Sequence, residues 1–218
     1  MTKHFRKELE NIKKRILALG ALVEDRVRLA AQAVDQIDAE IAQRIIKADY
    51  EVDEMEVEIE EECLKVLALH QPVAVDLRFI IAVIKINNDL ERIGDQAVNI
   101  AQRVEVIAKR PRPPFIFDYA EMGQKAQRML KMSLDALVNL DVDIAYKVIT
   151  MDDEVDQIKK DAYDKIKQAI QDLPERVGYY INLLLISRHL ERLADHATNI
   201  AEEVIYLVEG EIYRHVEY

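Results

Sequence analysis

The hydrophobic residues of this chain recur at intervals of three and four positions, the spacing of one face of an α-helix. The clearest stripe consists of Ile41, Ile45, Ala48, Val52, Met55, Ile59, Cys63 and Val66. Strong helix formers fill the positions between them. No stretch alternates at every second position for long enough to indicate a strand. The pattern therefore predicts an all-α protein.

The chain contains an internal repeat. The segment from Leu90 to Val104 aligns with that from Leu190 to Val204, and nine of the fifteen positions are identical. About one identity would be expected for unrelated segments of this composition. Residues 38–53 match residues 141–156 in the same order, and each segment begins with an Asp suited to cap a helix N-terminus. The two halves are therefore copies of one unit.

Proline residues mark the ends of the predicted helices. Pro72 and Pro174 lie at matching points of the repeat, and the segment RPRPPFIFD in the middle predicts a stiff joint between the halves. We expect two tandem antiparallel three-helix bundles, with domains at 1–110 and 111–218. The predicted helices cover about 4–37, 39–70, 73–109, 118–140, 142–171 and 174–209.

Charge and composition narrow the functional classes. The chain has 30 basic and 41 acidic residues, a net charge of −11, which argues against a nucleic-acid partner. No apolar stretch approaches the roughly 20 residues of a membrane span. The charged N-terminal segment lacks the apolar core of a signal peptide, so we expect a cytoplasmic protein that is not integral to the membrane. Cys63 lies on the apolar stripe and is expected to be a small buried residue.

Paired carboxylates are the strongest candidate site. Glu91 and Asp95 stand four residues apart, so both project from one helix face with about 6 Å between their Cβ atoms. The second helix of the same bundle carries another such pair, and the repeat duplicates both. The candidate ligands are Asp49, Asp53, Glu91, Asp95, Asp152, Asp156, Glu191 and Asp195. If the two helices of each bundle face each other here, four oxygen-donor groups converge in each half.

Such convergence favours a bound cation. Two like charges about 6 Å apart repel by roughly 1–3 kcal/mol for effective dielectrics between those of water and of a protein surface. A divalent or trivalent ion would remove this cost, and sulfur-free carboxylate sites suit Fe, Mn or Mg and also accept Zn. We therefore predict metal ions as cofactors, of unknown identity.

A simpler interpretation stays open, because acidic pairs four apart often only line a solvated helix face. Arg188 could neutralise the second cluster without metal, whereas Asn88 stands at the matching position of the first half. Glu56 and Glu60 flank the first cluster, and their places in the second half are taken by Lys159 and Tyr163. The sequence therefore favours the first site over the second.

No motif indicates catalysis. The chain has no Gly-rich phosphate loop, no Ser/His/Asp arrangement and no zinc knuckle. No histidine completes the Glu-x-x-His pairs of ferritin-like di-iron bundles. His196, beside Asp195, could be a ligand, but a surface imidazole is the expected state. The protein is therefore predicted not to be an enzyme.

The repeated LERIGD and LERLAD segments resemble the signature of the PhoU family. The likeness extends to DLRFIIAVIKINNDLERIGD, to KADYEVDEMEVEIEEECLKVLALHQPVAVDLR and to the C-terminal YRHVE. The resemblance implies the PhoU fold and a regulatory accessory role for a phosphate-specific ABC transporter. It also implies contacts with the transporter ATPase and a sensor histidine kinase, repression of the phosphate-starvation response, homodimers, and metal binding by the eight carboxylates.

Two classes of function remain open. The first is a regulatory adaptor in phosphate homeostasis, and the second is a metal-binding or metal-sensing helical bundle whose link to phosphate is incidental. An inert helical scaffold would explain the bundle but not the matched carboxylate pairs.

Overall fold

A computed structural model describes residues 3–211. This part of the chain forms seven α-helices and a 3₁₀ turn at Pro174–Arg176, with no strand. The helices are α1 (Lys3–Gln36), α2 (Ala39–Lys47), α3 (Tyr50–His70), α4 (Ala74–Ala108), α5 (Ala120–Asn139), α6 (Val142–Asp172) and α7 (Val177–Glu209). The YRHVE segment at 213–217 lies outside the described residues. None of the described helices is long and apolar enough to cross a membrane.

The predicted fold class is confirmed: α1, the α2–α3 pair and α4 form one three-helix bundle, and α5, α6 and α7 form the other. Both predicted caps are present. Asp38 accepts hydrogen bonds from the backbone N–H groups of Glu40 (2.8 Å) and Ile41 (3.1 Å). Asp141 accepts one from the N–H of Ile144 (3.0 Å). These bonds satisfy donors that a helix N-terminus otherwise leaves unpaired.

The second predicted helix is interrupted, which the sequence did not indicate. It breaks at Ala48 and Asp49, where the N–H of Ala48 bonds Ile45 O (3.1 Å) and the N–H of Val52 bonds Asp49 O (2.9 Å). These bonds span three residues rather than four, so the chain tightens locally into a 3₁₀-like turn. Asp49 precedes α3 but makes no capping hydrogen bond. Its carboxylate is therefore available for other contacts.

The two halves share one hydrophobic core. Its centre is the antiparallel packing of α4 on α7, and α1 also packs on α5 across the same boundary. Leu90, Ile93 and Ala97 of α4 are fully or almost fully buried, as are their counterparts in α7. The core therefore holds both bundles together over the length of their longest helices.

The proline-rich joint is anchored to both halves. Residues 109–119 contain no helix, and Pro113 is buried. The hydroxyl of Tyr119 donates a hydrogen bond to Leu183 O in α7 (2.7 Å), and Arg112 donates one to Gln36 O at the end of α1 (3.5 Å). The joint therefore connects the two bundles along the chain and is also hydrogen-bonded to a helix of each bundle, α1 and α7.

Gly94 sets the distance between α3 and α4. A Cβ atom at this position would lie 3.2 Å from Val52 Cγ1, closer than a comfortable contact. Val52 lies between Asp49 and Asp53 on α3, and Gly94 lies between Glu91 and Asp95 on α4. The absence of a side chain at Gly94 thus lets the two acidic helix faces approach each other.

We expect Gly94→Leu to destabilise the protein by about 1–3 kcal/mol, because the new side chain overpacks the contact with Val52. Gly94→Ala should change the free energy of unfolding much less, since the gain in helix propensity, about 1 kcal/mol, offsets the tight methyl contact. Urea unfolding followed by circular dichroism measures both. Equal stability of the Leu and Ala variants would show that the helices are not held at this distance.

Candidate metal centres

The first carboxylate cluster comprises Asp49, Asp53, Glu91 and Asp95. Burial raises the pKa of Asp49, and the charges of Asp53 and Asp95 raise it further, whereas Arg26 opposes them. Burial also raises the pKa of Glu91, with Asp95 and Asp53 adding to the effect and Arg92 opposing it. Carboxylates on α3 therefore act on carboxylates on α4, and the two predicted pairs face each other.

Arginine residues only partly compensate this negative charge. Arg92 Nη1 lies 3.2 Å from Asp95 Oδ2, and Arg92 Nε lies 3.4 Å from Glu91 Oε2. Arg26 pairs with Glu51 beside Asp49. Glu91 Oε2 is buried and accepts no hydrogen bond from the described residues. A buried carboxylate oxygen without a donor is costly, so the site has unused capacity to bind a cation.

Glu56 extends the first cluster along α3. Burial raises its pKa, and the neighbouring charges of Glu60 and Asp53 add to that shift. Arg92 again opposes the increase. The flank predicted from the sequence is thus electrostatically continuous with the four candidate ligands.

The second cluster comprises Asp152, Asp156, Glu191 and Asp195. Burial raises the pKa of Asp152 to about 6, with additional contributions from Asp195, Asp156, Asp153 and Glu191. Burial raises the pKa of Asp195 as well, the charges of Glu191 and Asp156 add to the increase, and His196 and Lys159 oppose it. The repeat therefore reproduces the facing carboxylates in the second half.

The cation that contacts Glu191 is Lys159 of α6, which donates a hydrogen bond to Glu191 Oε1. The sequence had indicated Arg188 for this role, but Arg188 is exposed and makes no ion pair within residues 3–211. Because Lys159 replaces Glu56 in the repeat, a carboxylate of the first half becomes a counter-ion in the second. The second cluster is therefore more nearly neutralised by the protein itself.

Neither cluster is arranged as a finished ligand shell. Within the described residues, no group of three or more His, Cys, Asp or Glu side chains is positioned to hold a metal ion. Neighbouring carboxylates add to the increase that burial causes in the pKa values of Asp49, Glu91, Asp152 and Asp195, but a cation would have to draw the carboxylates closer together. The residue types fit a hard cation, because every donor is a carboxylate oxygen.

The α4–α7 interface contains polar pairs that sequence reasoning missed. His196 Nδ1 lies 2.8 Å from Asp89 Oδ1, and Asn199 donates a hydrogen bond to the same oxygen (3.1 Å). His196 is half-buried, so the predicted surface imidazole is wrong. The signal that could have found this pair is the charged Asp89 beside Leu90, within an otherwise apolar helix face.

The mirrored position of this interface carries a neutral pair. His189 Nδ1 lies 2.9 Å from Gln96 Oε1. Burial lowers the pKa of His189 to about 4, and nearby Arg103, Arg192 and Arg188 lower it too. Because Asp89 and His189 occupy equivalent positions, as do Gln96 and His196, the two contacts are related by an approximate two-fold axis.

Cys63 lies fully buried on α3, as its position on the apolar stripe predicts. Burial raises the pKa of its thiol to about 12, and Glu62 and Glu60 add to the effect. The thiol therefore stays protonated and is no metal ligand at neutral pH.

The fold and the two clusters define a tandem-repeat, three-helix-bundle protein with a facing set of carboxylates in each half. A model of the PhoU domain matches residues 16–104 and 119–204. The chain belongs to the PhoU family.

Individual relatives agree over nearly the whole chain. A protein of Pseudomonas aeruginosa PAO1 named "Phosphate-specific transport system accessory protein PhoU homolog" is 37% identical over 99% of this chain and 90% of its own length. The Escherichia coli K12 protein named "Phosphate-specific transport system accessory protein PhoU" is 31% identical over 97% of this chain and 88% of its own.

Solved structures give the same result. The crystal structure of PhoU from Pseudomonas aeruginosa superimposes with a TM-score of 0.91 at 38% identity, covering 95% of this chain and 100% of that one. A phosphate transport system regulatory protein PhoU from Streptococcus pneumoniae gives 0.83 at 31% identity, covering 95% and 98%. The fold is therefore shared as well as the sequence.

We expect Asp152→Asn to stabilise the metal-free protein at pH 7 by about 1–3 kcal/mol and to have little effect near pH 4. The folded state keeps the Asp152 proton up to about pH 6, whereas the unfolded chain releases it near pH 4. Stability is therefore lost as pH rises through this window, and the variant escapes that loss. Urea unfolding at several pH values, with chelator present, measures the difference.

The control is Asp164→Asn, which removes an exposed carboxylate from the same helix. It should change stability by less than about 0.5 kcal/mol at every pH. A difference between Asp152→Asn and the wild type that does not vary with pH would contradict the assigned burial.

Proposed function

We propose that this chain is a non-enzymatic regulator of phosphate homeostasis and an accessory to a phosphate-specific ABC transporter. The main support is that the family match includes both repeats, and with them both carboxylate clusters. The names of the relatives assign this accessory role to those proteins. The sequence similarity extends over almost the entire chain, which supports assigning the same accessory role to this protein.

The proposed partners are the transporter ATPase subunit and a sensor histidine kinase. Through them the protein would hold the phosphate-starvation response off when phosphate is plentiful, acting from the cytoplasm as a homodimer. The shape supports an adaptor, because two similar bundles on one rigid core present two related but chemically different sets of surfaces. Such a body can contact two partners without catalytic residues.

We further propose that the carboxylate clusters bind divalent or trivalent metal ions, with Fe, Mn, Mg and Zn as the candidates. In the first half the ligands would be Asp49, Asp53, Glu91 and Asp95. The raised pKa values of Asp49 and Glu91, caused first by burial and then by neighbouring carboxylates, support this proposal, since a cation would replace like-charge repulsion with attraction. Glu91 Oε2, which is buried and accepts no hydrogen bond from the described residues although Arg92 Nε lies 3.4 Å away, supports the same assignment.

The second cluster is proposed to bind metal less completely. Its ligands would be Asp152, Asp156, Glu191 and Asp195, but Lys159 already pairs with Glu191. An entering cation must displace this lysine, so we expect weaker binding than in the first half. In both halves the ion would tie the second helix of the bundle to the third and stiffen the surface offered to a partner.

Replacing Glu91 and Asp95 together, as Glu91→Gln with Asp95→Asn, should abolish metal uptake by the first cluster and leave the fold intact. Amides keep the size of the carboxylates but remove the charge that holds a hard cation. Metal content after loading and desalting is measured by inductively coupled plasma mass spectrometry. Circular dichroism checks the fold.

The matched control is Glu54→Gln with Glu61→Gln, which removes two exposed charges from α3. It should keep the wild-type metal content. Replacing Glu191 and Asp195 in the same way should remove the smaller, second-site fraction. Unchanged metal content in the Glu91/Asp95 variant would remove the site assignment.

Deleting the gene in its host should raise a phosphate-starvation promoter several-fold in phosphate-rich medium, and the wild-type gene should restore repression. A reporter fusion measures the output. The Glu91/Asp95 variant should fail to restore repression if the metal is required for regulation. Promoter activity that is unchanged by the deletion would refute the regulatory role. Promoter activity that responds to the supply of metal but not of phosphate would favour the metal-sensing alternative.

A further inference from the structure

A groove runs between α6 and α7 in the second half, with a volume of about 930 Å³. Its floor is apolar and is formed by Ile181, Leu184 and Leu185 of α7. Ile181 is 48% exposed, and Tyr163 of α6, at the edge, is 55% exposed. A concave surface with exposed aliphatic and aromatic side chains gains free energy when a partner covers it.

Four basic side chains line the same groove: Lys159, Lys160, Arg188 and Arg192. Lys159 pairs with Glu191. The other three are exposed and form no ion pair with residues 3–211. Asp164, Glu191 and Asp195 also line the groove, so in a chain with a net charge of −11 this surface carries a small excess of positive charge.

The first half provides an internal comparison. A groove of about 650 Å³ overlaps the equivalent position, and its lining includes Glu56, Glu60, Lys85 and Asn88 together with Asn199 and Glu202 of α7. The repeat places Lys159, Tyr163, Leu185 and Arg188, respectively, at these four positions of the second groove. The second groove therefore lacks the two negative charges of Glu56 and Glu60 and has two positive charges instead, those of Lys159 and Arg188. Leu185, an apolar residue, takes the place of Lys85. The same architecture presents an acidic polar surface in one half and a basic apolar one in the other.

We propose that the α6–α7 groove is a docking site for an acidic amphipathic helix of a partner protein, an inference that rests on the adaptor role proposed above. The apolar floor matches the apolar face of such a helix, with anchors at three- and four-residue spacing. The exposed arginines and lysine match acidic residues on its flanks. A small inorganic anion would leave the floor uncovered.

Asp195 lies in the groove and belongs to the second carboxylate cluster. It repels the acidic flanks of an incoming helix unless Lys159 or a bound cation compensates it. A cation bound at the second carboxylate cluster would therefore strengthen docking of the helix. In this way the proposed metal site would influence the affinity of the proposed partner surface.

Binding is tested with the purified transporter ATPase subunit and the cytoplasmic part of the sensor kinase from the same genome. The wild-type protein should bind at least one of them, with an affinity that falls as salt is added. Arg188→Glu with Arg192→Glu should weaken that binding at least about tenfold, because both changes reverse exposed rim charges. Ile181→Asp should also weaken binding, because it places a charge in the apolar floor of the groove.

The matched control is Arg128→Glu with Lys131→Glu, which makes the same net change of charge on exposed positions of α5. Its affinity for the same partner protein should stay within about twofold of that of the wild type. If the wild type binds neither protein, the adaptor role fails. If it binds but the groove variants bind equally well, the docking site is wrong and the adaptor role stands.

The nature of the occupant is tested by a photo-crosslinking amino acid placed at Tyr163, with Glu60 as the equivalent position in the first groove. The segment captured at Tyr163 and identified by mass spectrometry should be acidic, with apolar residues at helical spacing, and Glu60 should capture none. A basic or neutral segment, or a second copy of this chain, would overturn the proposal. The proposal would also be overturned if the wild-type protein bound vesicles of phosphatidylglycerol and the Arg188/Arg192 variant did not.

Discussion

The packing of α4 on α7 is the constraint on which the rest of the structure depends. Each of these helices carries three kinds of surface: an apolar face within its own bundle, polar pairs toward the other half, and carboxylates toward α3 or α6. Because the helices cross as an antiparallel pair related by an approximate two-fold axis, fixing one crossing fixes both carboxylate faces. The acidic clusters are therefore oriented by buried contacts that do not involve them.

This arrangement keeps like charges together at a cost in stability. Gly94 allows α3 to approach α4, and the approach raises the pKa values of Asp49 and Glu91 instead of relieving their repulsion. A fold selected for stability alone would exchange some of these carboxylates for neutral or basic residues. The second half contains such an exchange, because Lys159 stands where Glu56 stands and pairs with Glu191. The first cluster, which arginine residues compensate only in part, is thus the stronger sign of function.

Much of the fold could be predicted from the sequence, because helical periodicity and duplication are local signals. The stripe through Val52 and Ile59, the caps at Asp38 and Asp141, and the proline positions place the helices within a few residues. The break at Ala48 and Asp49 carries no proline or glycine signal, so periodicity alone could not reveal it. The Asp89–His196 pair was missed because spacing along one helix does not say which other helix it faces.

The same limit explains what could be predicted about the sites. The repeat singled out eight candidate carboxylates, since both copies preserve their spacing, but the cation beside Glu191 is a lysine from the neighbouring helix and not the nearby Arg188. That lysine and Tyr163 were visible only as departures from the first half. In the structure the two departures fall in one groove with Leu185 and Arg188, each of which also differs from its counterpart. Because the two halves also differ at many other positions, these four differences matter through the charge and the apolar surface that they bring to one groove, which the proposed docking site requires.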